Sequence, residues 1–169
     1  MKLYHGTNKE FDRIDLLKSK PNKDSGRGFY LSADYYQALN MANVKVEQLG
    51  CGSPVVLTYE VEEVWEGLNV LRFEEYSEEL AKFILLNRNN PTSHPVHGYD
   101  IVIGPIADDR VGVQLWRYEN HSIDLPTLVR NLKYMKGITI QYFFGTERAI
   151  RLLPVSYTHL RAHETSAHL

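Results

Sequence analysis

The sequence predicts a single α+β domain over residues 1–153. Three observations lead there. Segments with strand character come in clusters instead of alternating regularly with helices, which disfavours a doubly wound parallel sheet. The 169 residues suit one hydrophobic core, and no internal repeat or long linker divides them. The composition, 43% hydrophobic and 24% charged, is that of an ordinary globular chain.

Along the chain, Lys2 to His5 reads as a short strand entering a Gly-Thr turn, and Phe11 to Leu17 as a second short strand. The polar stretch from Lys18 to Gly26 is rich in turn formers and predicts an exposed loop. Strand character returns from Gly28 to Ser32. Asp34 then opens a helix on which Leu39, Ala42, Val46 and Leu49 fall at helical spacing, and Gly50 and Gly52 end it. Val55 to Val61 and Leu68 to Phe73 read as strands, and Glu78 to Leu86 as a helix with Leu80, Phe83 and Ile84 on one face. Tyr99 to Ile103 is a strand closed by Gly104-Pro105. Helices follow from Asp109 to Glu119 and from Leu125 towards Met135, with Gly137 as a stop. Ile138 to Phe144 is the last clear strand, and Thr146 is placed to cap a short helix carrying Ala149, Ile150 and Leu153.

Residues 154–169 stand apart. Pro154-Val155-Ser156-Tyr157-Thr158-His159-Leu160-Arg161-Ala162-His163-Glu164-Thr165 resembles the translation of a transposase sequencing adapter and lacks an apolar period. Residues from about 155 onward are therefore left out of the fold and site reading. His159, His163 and His168 consequently do not count as a metal tract.

Bulk charge narrows the function classes. The formal charge is −2, with acids and bases mixed along the chain, so no basic stripe of a non-specific nucleic-acid binder is visible. No apolar run approaches the roughly 20 residues of a membrane helix, and the start shows no signal-peptide layout. Cys51 is the lone cysteine, which suits a reducing compartment. A cytoplasmic protein without membrane contact is the expectation.

Three short motifs carry the chemistry. Leu3-Tyr4-His5-Gly6-Thr7 looks like the first-strand motif of the ADP-ribosyltransferase superfamily, a histidine followed by glycine and a small hydroxyl residue. Gly26-Arg27-Gly28-Phe29-Tyr30-Leu31-Ser32, followed by a helix, resembles the second motif of the branch that includes poly-ADP-ribose polymerases and diphtheria toxin. Ile140-Gln141-Tyr142-Phe143-Phe144 resembles the third, in which glutamate, aspartate or glutamine leads a late strand. Each motif is weak alone; their order and placement give the weight. The chain also resembles a family of uncharacterised bacterial proteins assigned to the same superfamily, over nearly all of residues 1–153.

The resemblance implies the ADP-ribosyltransferase-like fold, split antiparallel or mixed β-sheets with flanking helices, and an NAD-dependent mono-ADP-ribosyltransferase with a His5, Tyr30 and Gln141 triad. NAD would be the co-substrate, with no metal. The acceptor would be a macromolecule, protein or nucleic acid. A toxin–antitoxin or phage-defence role with a small antitoxin partner is part of the same expectation. The alternative is a non-catalytic NAD or ADP-ribose-binding module of the same fold.

The residue types suit that chemistry. His5 is expected to donate to a ribose hydroxyl, and Gly6 to bring bare backbone to the nicotinamide amide. Tyr30 offers an aromatic face for the nicotinamide ring. Gln141 can position the reacting ribose but cannot ionise. Thr7 and Ser32 are second contacts, and Arg27 and Lys23 either meet the pyrophosphate or are solvated. Glu147, the one acidic residue near Gln141 in sequence, fits a helix first turn better than catalysis. His94 and His97 suggest a metal pair only weakly, since no carboxylate or cysteine partner accompanies them.

Overall fold

The computed structural model describes residues 1–135, 137–154 and 156–158. Its strands are β1 (Lys2–Thr7), β2 (Phe29–Ser32), β3 (Val55–Glu60), β4 (Val70–Arg72), β5 (Ile101–Pro105), β6 (Ile140–Phe144) and β7 (Tyr157–Thr158). Its α-helices are α1 (Tyr35–Leu49), α2 (Glu78–Arg88), α3 (Asp109–Glu119), α4 (Leu125–Lys133) and α5 (Glu147–Ile150). The architecture is mixed α+β, as expected, but the described strands form one hydrogen-bonded sheet in place of the expected split sheets, because β1 and β2 still share a register pair across the seam. One sheet runs in the order β4-β5-β6-β2-β1-β3-β7, and only β4 and β5 pair in parallel, with α2 as their crossover.

Local chemistry explains the helix starts. The side chains of Asp34, Ser77, Asp108, Asp124 and Thr146 each accept a backbone N–H in the first turn of α1 to α5 respectively. Gly50 ends α1 in the left-handed region at φ 67°, where glycine carries no Cβ penalty.

Two apolar clusters hold the layers together. Leu3, Leu31, Leu57, Ile101, Ile103 and Phe144 form the core on one sheet face, covered by Phe11, Ile14, Leu16 and Trp65 and by Ile150 of α5. Leu80, Ile84, Val111, Leu115, Leu128 and Leu132 bind α2, α3 and α4 into a separate helical cluster. Helix α1 lies on β1 and β3 through the buried Ala38 and Ala42.

Three segments differ from expectation. Phe11 to Leu17 is not a strand: it bends and enters a 3-10 turn at Leu16–Lys18, with the Asp15 carboxylate accepting from the Leu17 N–H. Its apolar residues do not alternate, so Phe11, Ile14 and Leu16 cover the core singly. Gly104-Pro105 does not close β5 but extends it, opposite Gln141 and Ile140. In the tail, Tyr157 and Thr158 pair with Thr58 and Leu57. The outer edge of β3 offers a row of backbone donors and acceptors to any extended segment, whatever its side chains. Positions 159–169, with their histidines, lie outside the described residues.

Candidate functional site

The site begins at a seam. β1 and β2 share one register pair, Tyr4 with Ser32, whose continuation would set Gly6 against Tyr30. The ladder stops short of that pair, and the His5 side chain takes its place: Nδ1 lies 2.8 Å from the Tyr30 carbonyl oxygen. A carbonyl only accepts, so Nδ1 carries the proton. Burial pushes the His5 pKa down to about 4 against the pull of this hydrogen bond, and the charges of Lys45 and Lys23 act in the same direction as burial. The ring is neutral at pH 7, stacked on Phe29 at 4.2 Å between centroids. Nε2 is then a bare acceptor. A neutral ring with its proton on Nδ1 can only accept at Nε2, not donate as the sequence reading expects.

Tyr30 projects to the opposite face from the core residues Phe29 and Leu31, as strand alternation requires. Its hydroxyl donates to the Gly26 carbonyl at 2.5 Å and accepts the Ser25 N–H at 3.0 Å, pinning the loop before β2. Burial holds the phenol proton far above its usual pKa, so Tyr30 is no acid or base here. One side of its ring meets Phe143 at 5.2 Å, and the Lys23 ammonium stands 5.2 Å from its centroid. Gly28 and Gly145 exist for Phe143, since a Cβ at either would lie 2.1 or 2.5 Å from its ring.

Gln141 sits on β6 between Ser32 of β2 and Gly104 of β5, on the same face as Tyr30. Its side-chain amide forms no hydrogen bond with the described residues, although its position is half-buried.

These residues line one cavity of about 630 Å³, a size usual for small-molecule and cofactor sites. Its floor holds Gly6, Tyr30, Ser32 and Gln141, and His5 borders it at the seam with its ring on the opposite sheet face against Phe29; α1 forms one wall with Gln37, Met41, Lys45 and Gln48. The remaining walls contribute Lys18, Lys20, Lys23 and Asp24 from the loop and Arg88 from α2. Asp24 is engaged by Arg88 at 2.6 Å. The four lysines have no carboxylate within salt-bridge distance among the described residues. Desolvation, then Lys45 and Lys20, push the Lys23 pKa down, as expected for like charges crowded at one opening. The cavity therefore favours an anion.

Several sequence-marked residues play other parts. Thr7 is buried, pairs with Val55 and does not line the cavity. Arg27 spends its Nε–H on the Ser19 carbonyl at 2.9 Å and also lies outside the lining. Ser32 lines the cavity, yet its hydroxyl accepts from the Asp34 N–H and donates to the Asp34 carbonyl, shaping the turn into α1. Gly6 answers first to helix packing: a Cβ there would sit 1.9 Å from the Ala38 carbonyl oxygen and 2.8 Å from the Ala42 nitrogen. His97 uses both ring nitrogens in hydrogen bonds, to the Ser25 carbonyl and from the Tyr99 N–H. It supports the Tyr30 loop rather than pairing with His94.

Glu147 is exposed in the first turn of α5 behind its Thr146 cap, and it does not line the cavity. Glu147→Ala is expected to lower stability by at most about 1 kcal/mol, the usual worth of a carboxylate at a helix start. Ligand binding should stay unchanged; a calorimetric titration showing lost binding would place Glu147 in the site.

Sequence reasoning missed Lys45, Arg88 and the wall of α1. A signal existed: Gln37, Met41, Lys45 and Gln48 recur at helical spacing beside the small packing residues Ala38 and Ala42. Arg88 gave none, because only folding brings α2 to the loop.

No curated protein and no solved structure matches the chain. Residues 1–155 match the family model described as "Protein of unknown function (DUF3990)", and the chain belongs to that family.

Proposed function

We propose that this domain has the ADP-ribosyltransferase-like fold, binds NAD in the central cavity and transfers one ADP-ribose unit to a macromolecular acceptor. The observation that carries the reading is convergence. His5, Tyr30 and Gln141, spread across the sequence and singled out by three separate motifs, all border one cavity of dinucleotide scale with cationic walls, Tyr30 and Gln141 from one sheet face and His5 at the β1–β2 seam.

In this reading Nε2 of neutral His5 accepts from a ribose hydroxyl of the adenosine half. Lys23 and Lys45 face the pyrophosphate. Nicotinamide replaces the Lys23 ammonium over the Tyr30 ring, one cation exchanged for another on the same aromatic face. The Gln141 amide, without a hydrogen-bond partner among the described residues, hydrogen-bonds the nicotinamide ribose and holds its C1 atom in register. As the nicotinamide–ribose bond lengthens, positive charge grows on the ribose while nicotinamide departs neutral. The acceptor nucleophile then bonds to C1 and releases its proton. Gln141 supplies orientation and a dipole, not a full negative charge.

A non-catalytic NAD or ADP-ribose-binding module is the second reading. Gln141 cannot ionise, and the one carboxylate in the lining among the described residues, Asp24, is already paired with Arg88. Incubation with adenylate-labelled NAD and a cell lysate separates the two. Label in acid-insoluble macromolecules is the expected result. Saturable NAD binding with no transfer and no nicotinamide release would assign the module instead.

A further inference from the structure

A second, smaller void of about 20 Å³ adjoins the main cavity. Asp24 and Gln141 are the two residues that line both. Gln141 reaches them from β6, where it stands between Ser32 and Gly104. Asp24 reaches them from the loop before β2, and its side chain is only 19% exposed. That loop is tied down on either side of Asp24. The Tyr30 hydroxyl accepts the Ser25 N–H at 3.0 Å, His97 holds the Ser25 carbonyl at 2.7 Å, and Asn22 donates to the Asn90 carbonyl.

Both side chains have hydrogen-bonding capacity to spare. Oδ1 of Asp24 accepts from Arg88 Nε at 2.6 Å, while Oδ2 has no hydrogen-bond partner among the described residues. The Gln141 amide has none there either. The void between them is about the space of one water, and its other side chains are apolar apart from that of Ser25. A carboxylate only accepts, so of the two ends of the Gln141 amide it can engage the NH2 and not the oxygen. The ribose makes no such choice, since a hydroxyl both donates and accepts.

We propose that Asp24 is a positioning residue: its free carboxylate oxygen takes the Gln141 NH2 across the void and turns the amide oxygen towards the reacting ribose. The orientation matters because the two ends of an amide carry opposite partial charges. The oxygen end beside C1 lowers the cost of the positive charge that grows there, and the nitrogen end raises it. Asp24 exchanges no proton in this role, and Arg88 steadies the carboxylate by taking Oδ1. The word ribose rests on the transferase reading; the link between Asp24 and Gln141 does not.

The link is read first without NAD, by NMR of the full chain. Exchange of the Gln141 side-chain amide protons with water should be about tenfold slower or more than for the exposed Gln48 in the same spectrum, as a hydrogen bond to a charged group requires. Asp24→Asn should remove that protection. Its oxygen goes to Arg88, which leaves its own NH2 facing the Gln141 NH2 across the void. An unchanged thermal midpoint checks that the variant folds. With NAD, Asp24→Asn should lower kcat for nicotinamide release roughly tenfold, with KM within about threefold of the parent. In a Gln141→Ala background the same substitution should change kcat by less than about twofold, because Asp24 acts through that amide. Unprotected Gln141 protons in the parent, a changed KM with kcat intact, or an equal loss of kcat with and without Gln141 would overturn the inference. A parent that cleaves no NAD removes the transferase reading, and amide exchange still decides the Asp24–Gln141 link, so the two fail separately.

Discussion

Gly6→Ala is expected to lower the thermal midpoint by roughly 6–12 °C, which corresponds to about 3 kcal/mol in a chain of this size. The added methyl would meet the Ala38 carbonyl oxygen at 1.9 Å, and the obstacle is helix backbone, which cannot swing aside as a side chain can. α1 must lift off β1 as a body. Because α1 carries Lys45, Met41 and Gln37, lifting it also spoils one wall of the cavity. Ligand affinity should therefore fall with stability, although Gly6 offers no side chain to either. Thermal unfolding followed by circular dichroism reads the first effect. A midpoint within 1 °C or so of the parent, well inside the shift expected from that overpacking, would show that α1 does not pack as described.

Asp100→Ala should be similarly damaging through a lost polar hub. The Asp100 carboxylate is buried and accepts from Thr146 Oγ1 at 2.6 Å, the Asn69 N–H at 2.8 Å and Arg148 Nη2 at 2.7 Å. Thr146 in turn caps α5, so one side chain ties the start of β5 to the last helix. Removing it strands the Asn69 N–H and the Thr146 hydroxyl, at about 1–3 kcal/mol for each group left unsatisfied. Arg148 is half exposed and adds little. Burial alone would raise the Asp100 pKa, but the hydrogen bonds from Thr146 and Asn69, with Arg148, outweigh it and hold the carboxyl below its usual value. The stability this contributes is complete above the unfolded carboxyl value of about 3.9 and drains as pH falls through the lower folded value. The parent should thus lose stability below about pH 4 more steeply than Asp100→Ala. Identical acid limbs in the two unfolding curves would contradict this role.

The sequence made most elements legible because their signals are local. Caps at Asp34, Asp108 and Thr146, strand alternation around Tyr30 and the glycine stop at Gly50 each depend on a few adjacent residues. The Phe11 to Leu17 segment misled because apolar content was read without alternation. For the site, the three motif residues were legible while the roles around them were not. His5 as an acceptor depends on the missing ladder pair at the β1–β2 seam, which no sequence pattern announces. Arg27 looked suitable for phosphate, but Ser19 holds its Nε–H and it lies outside the lining; Gly6 lines the cavity and is also fixed by the close approach of Ala38, which no pattern in the sequence announces. The cationic cavity was invisible in a chain of balanced charge, because Lys20, Lys45 and Arg88 are brought together only by the fold.

Calorimetric titration of the parent and of triad variants with NAD tests the central claim most directly. The parent should bind NAD. Tyr30→Ala should weaken binding roughly two- to tenfold by losing a stacking face worth about 0.5–1.5 kcal/mol, and His5→Ala by a similar factor for one hydrogen bond. Tyr30→Phe, which keeps the ring and loses only the loop bonds to Ser25 and Gly26, should bind more tightly than Tyr30→Ala. Gln141→Ala should bind nearly as the parent does while transferring less, and Gln141→Glu should keep or raise NAD cleavage by setting a charge beside the developing ribose cation. A parent that does not bind NAD, or triad variants that all bind it as the parent does, would contradict the account.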